Sequence, residues 1–124
     1  MRSLGIRGAI NVENNTETAI LAAARQLLQE VITQNQINPA DLAAAIFTVT
    51  KDLNAAYPAR AARELGWNHV PLMCMQEMDV PGSLPSCLRV LLLWNSEKNI
   101  NQIQHVYLGS ARALRPDLVK ENSR

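Results

Sequence analysis

Cys87-Leu88-Arg89-Val90-Leu91-Leu92-Leu93-Trp94 is the most apolar stretch of this chain, and it carries one permanent cation. The run reads as a buried strand over residues 87–94. Leu88, Val90, Leu92 and Trp94 fall on one face and Leu91 and Leu93 on the other, so both faces call for cover. A guanidinium cannot shed its proton to escape a dry site. Arg89 must therefore meet either a distant carboxylate of the fold or an anionic ligand, since no acid lies within the run itself. In an apolar strand the structural acid is the commoner answer, but arginines and a tyrosine on other strands shift the balance. That makes Arg89 the leading candidate for function.

Outward from this strand the periodicities divide the chain. Residues 4–12 alternate Leu4, Ile6, Gly8, Ile10 and Val12 against Gly5, Arg7, Ala9 and Asn11, the pattern of a first strand. Asn14 or Asn15 is expected to cap a helix running to about residue 34, with Ile20, Leu21, Ala24, Leu27, Leu28, Val31 and Ile32 at helical spacing. Asn38-Pro39-Ala40-Asp41 supplies a cap, a first-turn proline and an acid for a short helix before a strand over residues 45–49. Residues 51–54 turn the chain. Pro58 opens another helix that Gly66 ends, with Trp67 folding back on its last turn and Arg60 and Arg63 on a shared face. A third strand is expected over residues 69–75, a loop at residues 81–85, and a fifth strand over residues 106–114. On that last strand Tyr107 would alternate with Gly109, Ala111 and Ala113, leaving its face open to a ligand. The polar segment 115–124 reads as a mobile tail.

The chain has 124 residues, 48% hydrophobic, 19% charged and 4% aromatic, with a formal net charge of +1. This describes a single domain, residues 1–124, with an aliphatic core. The near-neutral balance argues against nucleic acid as a partner, and no apolar run suits a signal peptide or a membrane span. A cytoplasmic protein with two reduced thiols, Cys74 and Cys87, is the expectation. Met73, Met75 and Met78 read as core filler. The fold class expected is α+β, a mixed sheet of about five strands with helices packed on one side. Its uncovered apolar face calls for a homo-oligomer with sites between subunits.

Gly5-Ile6-Arg7-Gly8-Ala9, Tyr57-Pro58-Ala59-Arg60-Ala61-Ala62-Arg63-Glu64-Leu65, Val70-Pro71-Leu72-Met73-Cys74-Met75-Gln76-Glu77-Met78-Asp79-Val80, Leu88-Arg89-Val90, His105-Val106-Tyr107-Leu108 and Leu114-Arg115-Pro116-Asp117-Leu118 occur in that order. Together they resemble the small monofunctional chorismate mutases of the AroH class, over nearly the whole chain. The resemblance implies a pseudo-α/β-barrel homotrimer with active sites at subunit interfaces. It also implies the Claisen rearrangement of chorismate to prephenate, on the route to phenylalanine and tyrosine, with no cofactor and no metal.

By the same likeness Arg89 donates to the ether oxygen and a substrate carboxylate, Arg7 and Tyr107 complete the carboxylate grip, and Glu77 accepts from the ring hydroxyl. Cys74 contacts that same end of the ligand. Tyr57, Ala59, Arg60, Arg63, Leu72 and Met73 form a wall contributed by the neighbouring subunit, Met75 and Gln76 contact the ligand through backbone, and Leu114 and Arg115 close the pocket. The chain departs from the family pattern at Arg60, where a lysine is familiar, at Met73, where a small hydroxylated residue is, and at Tyr57, where phenylalanine is.

Taken singly, these residues have plainer readings. Arg60 and Glu64 make an i,i+4 surface pair of about 0.3 kcal/mol. Cys74 lacks a histidine base and reads as packing rather than as a nucleophile, while His69 and His105 carry little signal. Two rival functions fit the same arginines: a trimeric enamine or imine deaminase, and a non-catalytic trimer that carries a dicarboxylate.

Overall fold

The computed structural model describes residues 1–115 and 117 of the chain. In chain order it contains β1 (Arg2–Asn11), α1 (Glu17–Asn35), a 3-10 turn (Pro39–Asp41), β2 (Leu42–Val49), α2 (Ala59–Glu64) and β3 (Leu72–Gln76). There follow β4 (Cys87–Ser96), a 3-10 turn (Ile100–Gln102), β5 (Val106–Leu108) and a 3-10 helix (Gly109–Leu114). The strands form one sheet ordered β3-β2-β4-β1-β5. The apolar run with Arg89 is thus its central strand. β4 pairs antiparallel with β1 and β2, while β5 lies parallel to β1 and β3 parallel to β2.

One face of the sheet is closed by both α-helices. Leu88, Val90, Leu92 and Trp94 of β4 join Leu4, Ile6 and Ile10 of β1 and Phe47 of β2 beneath Ile20, Ala24, Leu27, Leu28 and Val31 of α1. Phe47, Leu88 and Leu92 are fully buried. Burying each such side chain contributes about 1.5–3 kcal/mol against the conformational entropy of folding. Gly8 lies tightly packed under α1, where a larger residue would make its neighbours shift. A Cβ there would stand 3.1 Å from Leu27 Cδ1 and 3.3 Å from Val31 and Val90. Helix α1 is capped by Thr16, whose Oγ1 accepts from the Ala19 amide at 3.1 Å. The expected caps serve elsewhere: Asn15 Oδ1 accepts from the amides of Asn54 and Ala55 and so ties the loop after β2 to the start of α1. Asn38 caps the Pro39 turn as anticipated, accepting from the Ala40 amide. Trp67 folds back on α2, its amide donating to the Ala62 carbonyl after Gly66 has taken φ +91°.

The opposite face is left largely bare by the described residues. It carries Gly5, Arg7 and Ala9 of β1, Arg89, Leu91 and Leu93 of β4, Ile46 and Thr48 of β2, Met73 and Met75 of β3, and Tyr107 of β5. Met73, Met75 and Met78 are 57%, 44% and 77% exposed, so they do not fill the core as expected. The period of two along β3 turns Leu72 and Cys74 toward the helices and leaves Met73 and Met75 outside, while Met78 lies past the end of the strand.

The bounds of all five strands differ from those expected; β2 starts at Leu42, directly after the Pro39 turn, rather than at residue 45. β1 and β4 reach Arg2 and Ser96, beyond the apolar residues that signalled them, because backbone pairing between them continues past the apolar pattern. β3 begins at Leu72, since Pro71 cannot donate to the ladder and residues 66–70 complete the turn after α2. The fifth strand stops at Leu108. Gly109 takes φ +60°, the Ser110 amide donates to Asn11 Oδ1 at 2.9 Å, and the chain winds into the 3-10 helix. Tyr107 consequently has no alternating open row after it; it is buried with Ala9, Cys87 and Ala111, flanked by Leu84 and Leu114. The mobile tail expected over residues 115–124 falls, apart from Arg115 and Asp117, outside the described residues.

Candidate active site

Sheet register aligns Met75, Thr48, Arg89, Ala9 and Tyr107 in one row across all five strands, and the alternation of each strand points them to the bare face. Ala9, the small member, separates Arg89 from Tyr107 by two strand spacings, about 10 Å of backbone. Arg7 lies two residues before Ala9 on the same face. A cleft of about 440 Å³ opens over this row, lined by Arg7, Ile46, Thr48, Met75, Glu77, Arg89, Leu91, Tyr107, Leu114 and Arg115 among others. The 3-10 helix after β5 delivers the last two.

Charge in this cleft is only partly neutralised. Glu77 is the distant carboxylate that the apolar run required, but its Oε1 stands 3.9 Å from Arg89 Nε, too far for a hydrogen bond. Arg89 Nε is buried and without a hydrogen-bond partner. The Glu77 amide donates to the Val49 carbonyl at 2.8 Å, extending the β2–β3 ladder by one residue and fixing where its side chain starts. Thr48 Oγ1 donates to Glu77 Oε1 at 2.8 Å. Arg115 forms a two-armed pair with Asp117, at 3.1 and 2.8 Å. Arg7 has no carboxylate within ion-pair distance among the described residues. Its amide, one residue ahead of the β1–β5 ladder, donates to His105 Nδ1 at 3.0 Å. Burial, then the Arg7 and Arg115 cations, push His105 below its ordinary 6.5, which keeps that nitrogen an acceptor.

A second cleft of about 500 Å³ lies at the β3 edge toward the helices, lined by Glu17, Tyr57, Arg60, Arg63, Cys74, Met75 and Gln76 among others. Arg60 is held there by Glu17 at 2.8 Å and Glu64 at 3.2 Å. Arg63 has no such partner among the described residues. Cys74 is half-buried; burial raises its thiol above 9.0, opposed by a hydrogen bond from the Ala59 amide and by the Arg63 charge. A protonated thiol packs and contacts but does not attack.

Of the residues singled out from sequence, Arg7, Glu77, Arg89, Tyr107, Leu114 and Arg115 come together in the first cleft, and Tyr57, Arg60, Arg63, Cys74 and Gln76 in the second. Met75 borders both. Within one chain Cys74 therefore opens on a different cleft from Glu77. Ala59 is buried, Leu72 packs against the helix-side core, and Met73 lies exposed outside both clefts. Sequence reasoning missed Thr48, whose place opposite Arg89 requires the β2–β4 register, and passed over His105, whose role depends on where the β1–β5 ladder begins. Among the described residues, no group of three or more histidine, cysteine, aspartate or glutamate side chains could hold a metal ion.

The family model for chorismate mutase type I matches residues 3–118. The chain is 52% identical over 115 residues to the chorismate mutase AroH of Thermus thermophilus, covering 92% of this chain and 94% of that one. It is 48% identical over 115 residues to the chorismate mutase AroH of Bacillus subtilis, covering 92% and 91%. A solved chorismate mutase from Clostridium thermocellum superposes with a TM-score of 0.87 at 49% identity, covering 88% of this chain and 97% of that one.

Proposed function

Because the chain belongs to the chorismate mutase type I family, we propose that its two clefts meet between subunits of a homotrimer to hold chorismate and rearrange it to prephenate. One cleft presents Arg7, Arg89, Tyr107 and Arg115; the other, from a neighbouring copy, presents Arg63, Cys74 and Tyr57. The bare face with Leu91, Met73 and Met75 is the surface such an assembly covers.

The reaction is an intramolecular isomerisation in which the ether C–O bond breaks as a new C–C bond forms. The protein's task is to hold a dianion in a compact shape and to offer donors where negative charge grows. Arg7 and Tyr107 grip one carboxylate, and Arg89, a rigid fork, reaches the ether oxygen and a carboxylate together. Glu77 accepts from the ring hydroxyl with its second oxygen. Leu114 and Arg115 close over the ligand, and neither a cofactor nor a covalent step is needed.

The observation that carries this reading is the buried Arg89 Nε, left without a hydrogen-bond partner at the floor of a cleft ringed by cations. A buried guanidinium N–H without an acceptor is costly, and an anionic ligand supplies the missing acceptor. A carrier would use the same arginines without acceleration, so the decisive experiment is catalytic: purified protein with chorismate, the product identified as prephenate. Tighter binding of a bicyclic transition-state analogue than of chorismate is expected, and equal binding would point to the carrier. Sedimentation should give three copies per particle. The site of action is taken to be the cytoplasm; among the described residues no helix is long and apolar enough to cross a membrane.

A further inference from the structure

Glu77 and Arg89 are opposite charges on one cleft wall, 3.9 Å apart from Oε1 to Nε, yet they do not hydrogen-bond. Two flexible side chains of opposite charge at that spacing close to contact unless something restrains one of them. The Arg89 Nε is buried and unpartnered, so a carboxylate oxygen moving less than a bond length would satisfy it. One group opposes that movement. Thr48 Oγ1 donates to Glu77 Oε1 at 2.8 Å, and Thr48 sits directly across the β2–β4 ladder from Arg89.

We propose that Thr48 is a positioning residue that tethers the Glu77 carboxylate away from Arg89, so that the guanidinium stays available to the substrate and the second Glu77 oxygen faces the cleft. The tether is stiff for two reasons. Thr48 is β-branched and lies within β2, which restricts its χ1, and the Glu77 backbone is itself fixed by the hydrogen bond from its amide to the Val49 carbonyl. A hydroxyl at this place is thus more than a polar surface residue: its register partner is the cation, and its hydrogen-bond partner is that cation's nearest acid. Without it, the acid and the cation neutralise each other, and the cleft loses its electrostatic catalyst with its shape nearly intact.

The inference rests on the chorismate mutase reading of this cleft. The experiment is a steady-state comparison of kcat and KM for the parent, Thr48→Val, Thr48→Ser and Glu77→Ala, and for Thr48→Val combined with Glu77→Ala. Thr48→Val keeps the shape and removes the donor; its kcat should fall roughly 10- to 100-fold, the scale of a hydrogen bond to a charged group, with KM close to the parent's. Thr48→Ser restores the hydroxyl and should recover most of the rate. Once Glu77 is alanine there is no carboxylate to tether, so Thr48→Val should cost nothing more. Parental kcat in Thr48→Val, failure of serine to rescue, or an equal loss with and without Glu77 would each overturn the proposal. A parent that turns over no chorismate overturns the functional reading instead, so the two failures are distinguishable.

Discussion

Arg89 Nε stops 3.9 Å from Glu77 Oε1, outside hydrogen-bond reach, in a cleft that also holds Arg7, Tyr107 and Arg115. The central strand thus carries a cation that its own fold only half satisfies. Removing a preorganised donor of this kind costs on the order of 100- to 1,000-fold in turnover. Arg89→Ala is expected to show that loss in the steady-state disappearance of chorismate absorbance. Arg89→Lys should recover little, because an ammonium cannot span ether and carboxylate together; parental activity in the lysine variant contradicts the geometry.

The two arginines of α2 should separate. Arg60 is already held by Glu17 and Glu64, whereas Arg63 faces the second cleft without an ion-pair partner among the described residues. Arg63→Ala is expected to raise KM for chorismate by tenfold or more, at about 1.4 kcal/mol per decade. Arg60→Ala should change KM far less and lower stability by under about 1 kcal/mol, as befits exposed pairs. Kinetics and urea unfolding on both variants check this, and a larger KM effect at position 60 would reverse the assignment.

Gly109 is required by its backbone. At φ +60° any other residue is strained, and a Cβ would collide with Asn11 Oδ1, the atom that accepts from the Ser110 amide. Gly109→Ala should cost roughly 1–3 kcal/mol. It should also raise KM, because the 3-10 helix that starts here sets Leu114 and Arg115 over the cleft. Thermal unfolding together with kinetics tests the pairing of the two effects; loss of stability with an unchanged KM would detach this helix from binding.

His105 gives a pH dependence with a definite sign. Its folded-state pKa is held below 6.5 by burial and by Arg7 and Arg115, so as pH falls the unfolded chain takes up the proton first. Stability should therefore be full above 6.5, begin to drop as pH falls through 6.5, and continue to drop until the folded imidazole itself protonates. Protonation removes the acceptor for the Arg7 amide. In melting temperatures measured from neutral to acid pH, His105→Asn should flatten this part of the profile; an unchanged profile assigns the dependence to another group.

Much of this was legible in the residues themselves. The apolar octapeptide with one arginine announced a buried strand with two apolar faces, and the helical spacing of Ile20, Leu27 and Val31 announced the layer that covers one of them. The motif order around Arg7, Tyr57, Cys74, Glu77, Arg89 and Tyr107 carried the family. These are local or linear properties: alternation, turn chemistry and residue type follow from neighbours along the chain, so no contact map is needed to read them.

What the tertiary structure alone decided is which of those residues meet. Register set Thr48 opposite Arg89 and Ala9 between Arg89 and Tyr107. The start of the β1–β5 ladder gave the Arg7 amide to His105, and the close of β5 at Gly109 bent the last segment over the cleft. The methionines of β3 went outward, against expectation, because the strand's phase was fixed by Leu72 and Cys74 packing inward. Pairing between strands distant in sequence is governed by the summed packing of whole faces, and a shift of one residue would exchange every side chain between core and cleft. The sequence determined the parts and their chemistry; the shared register of five strands decided the row in which they stand.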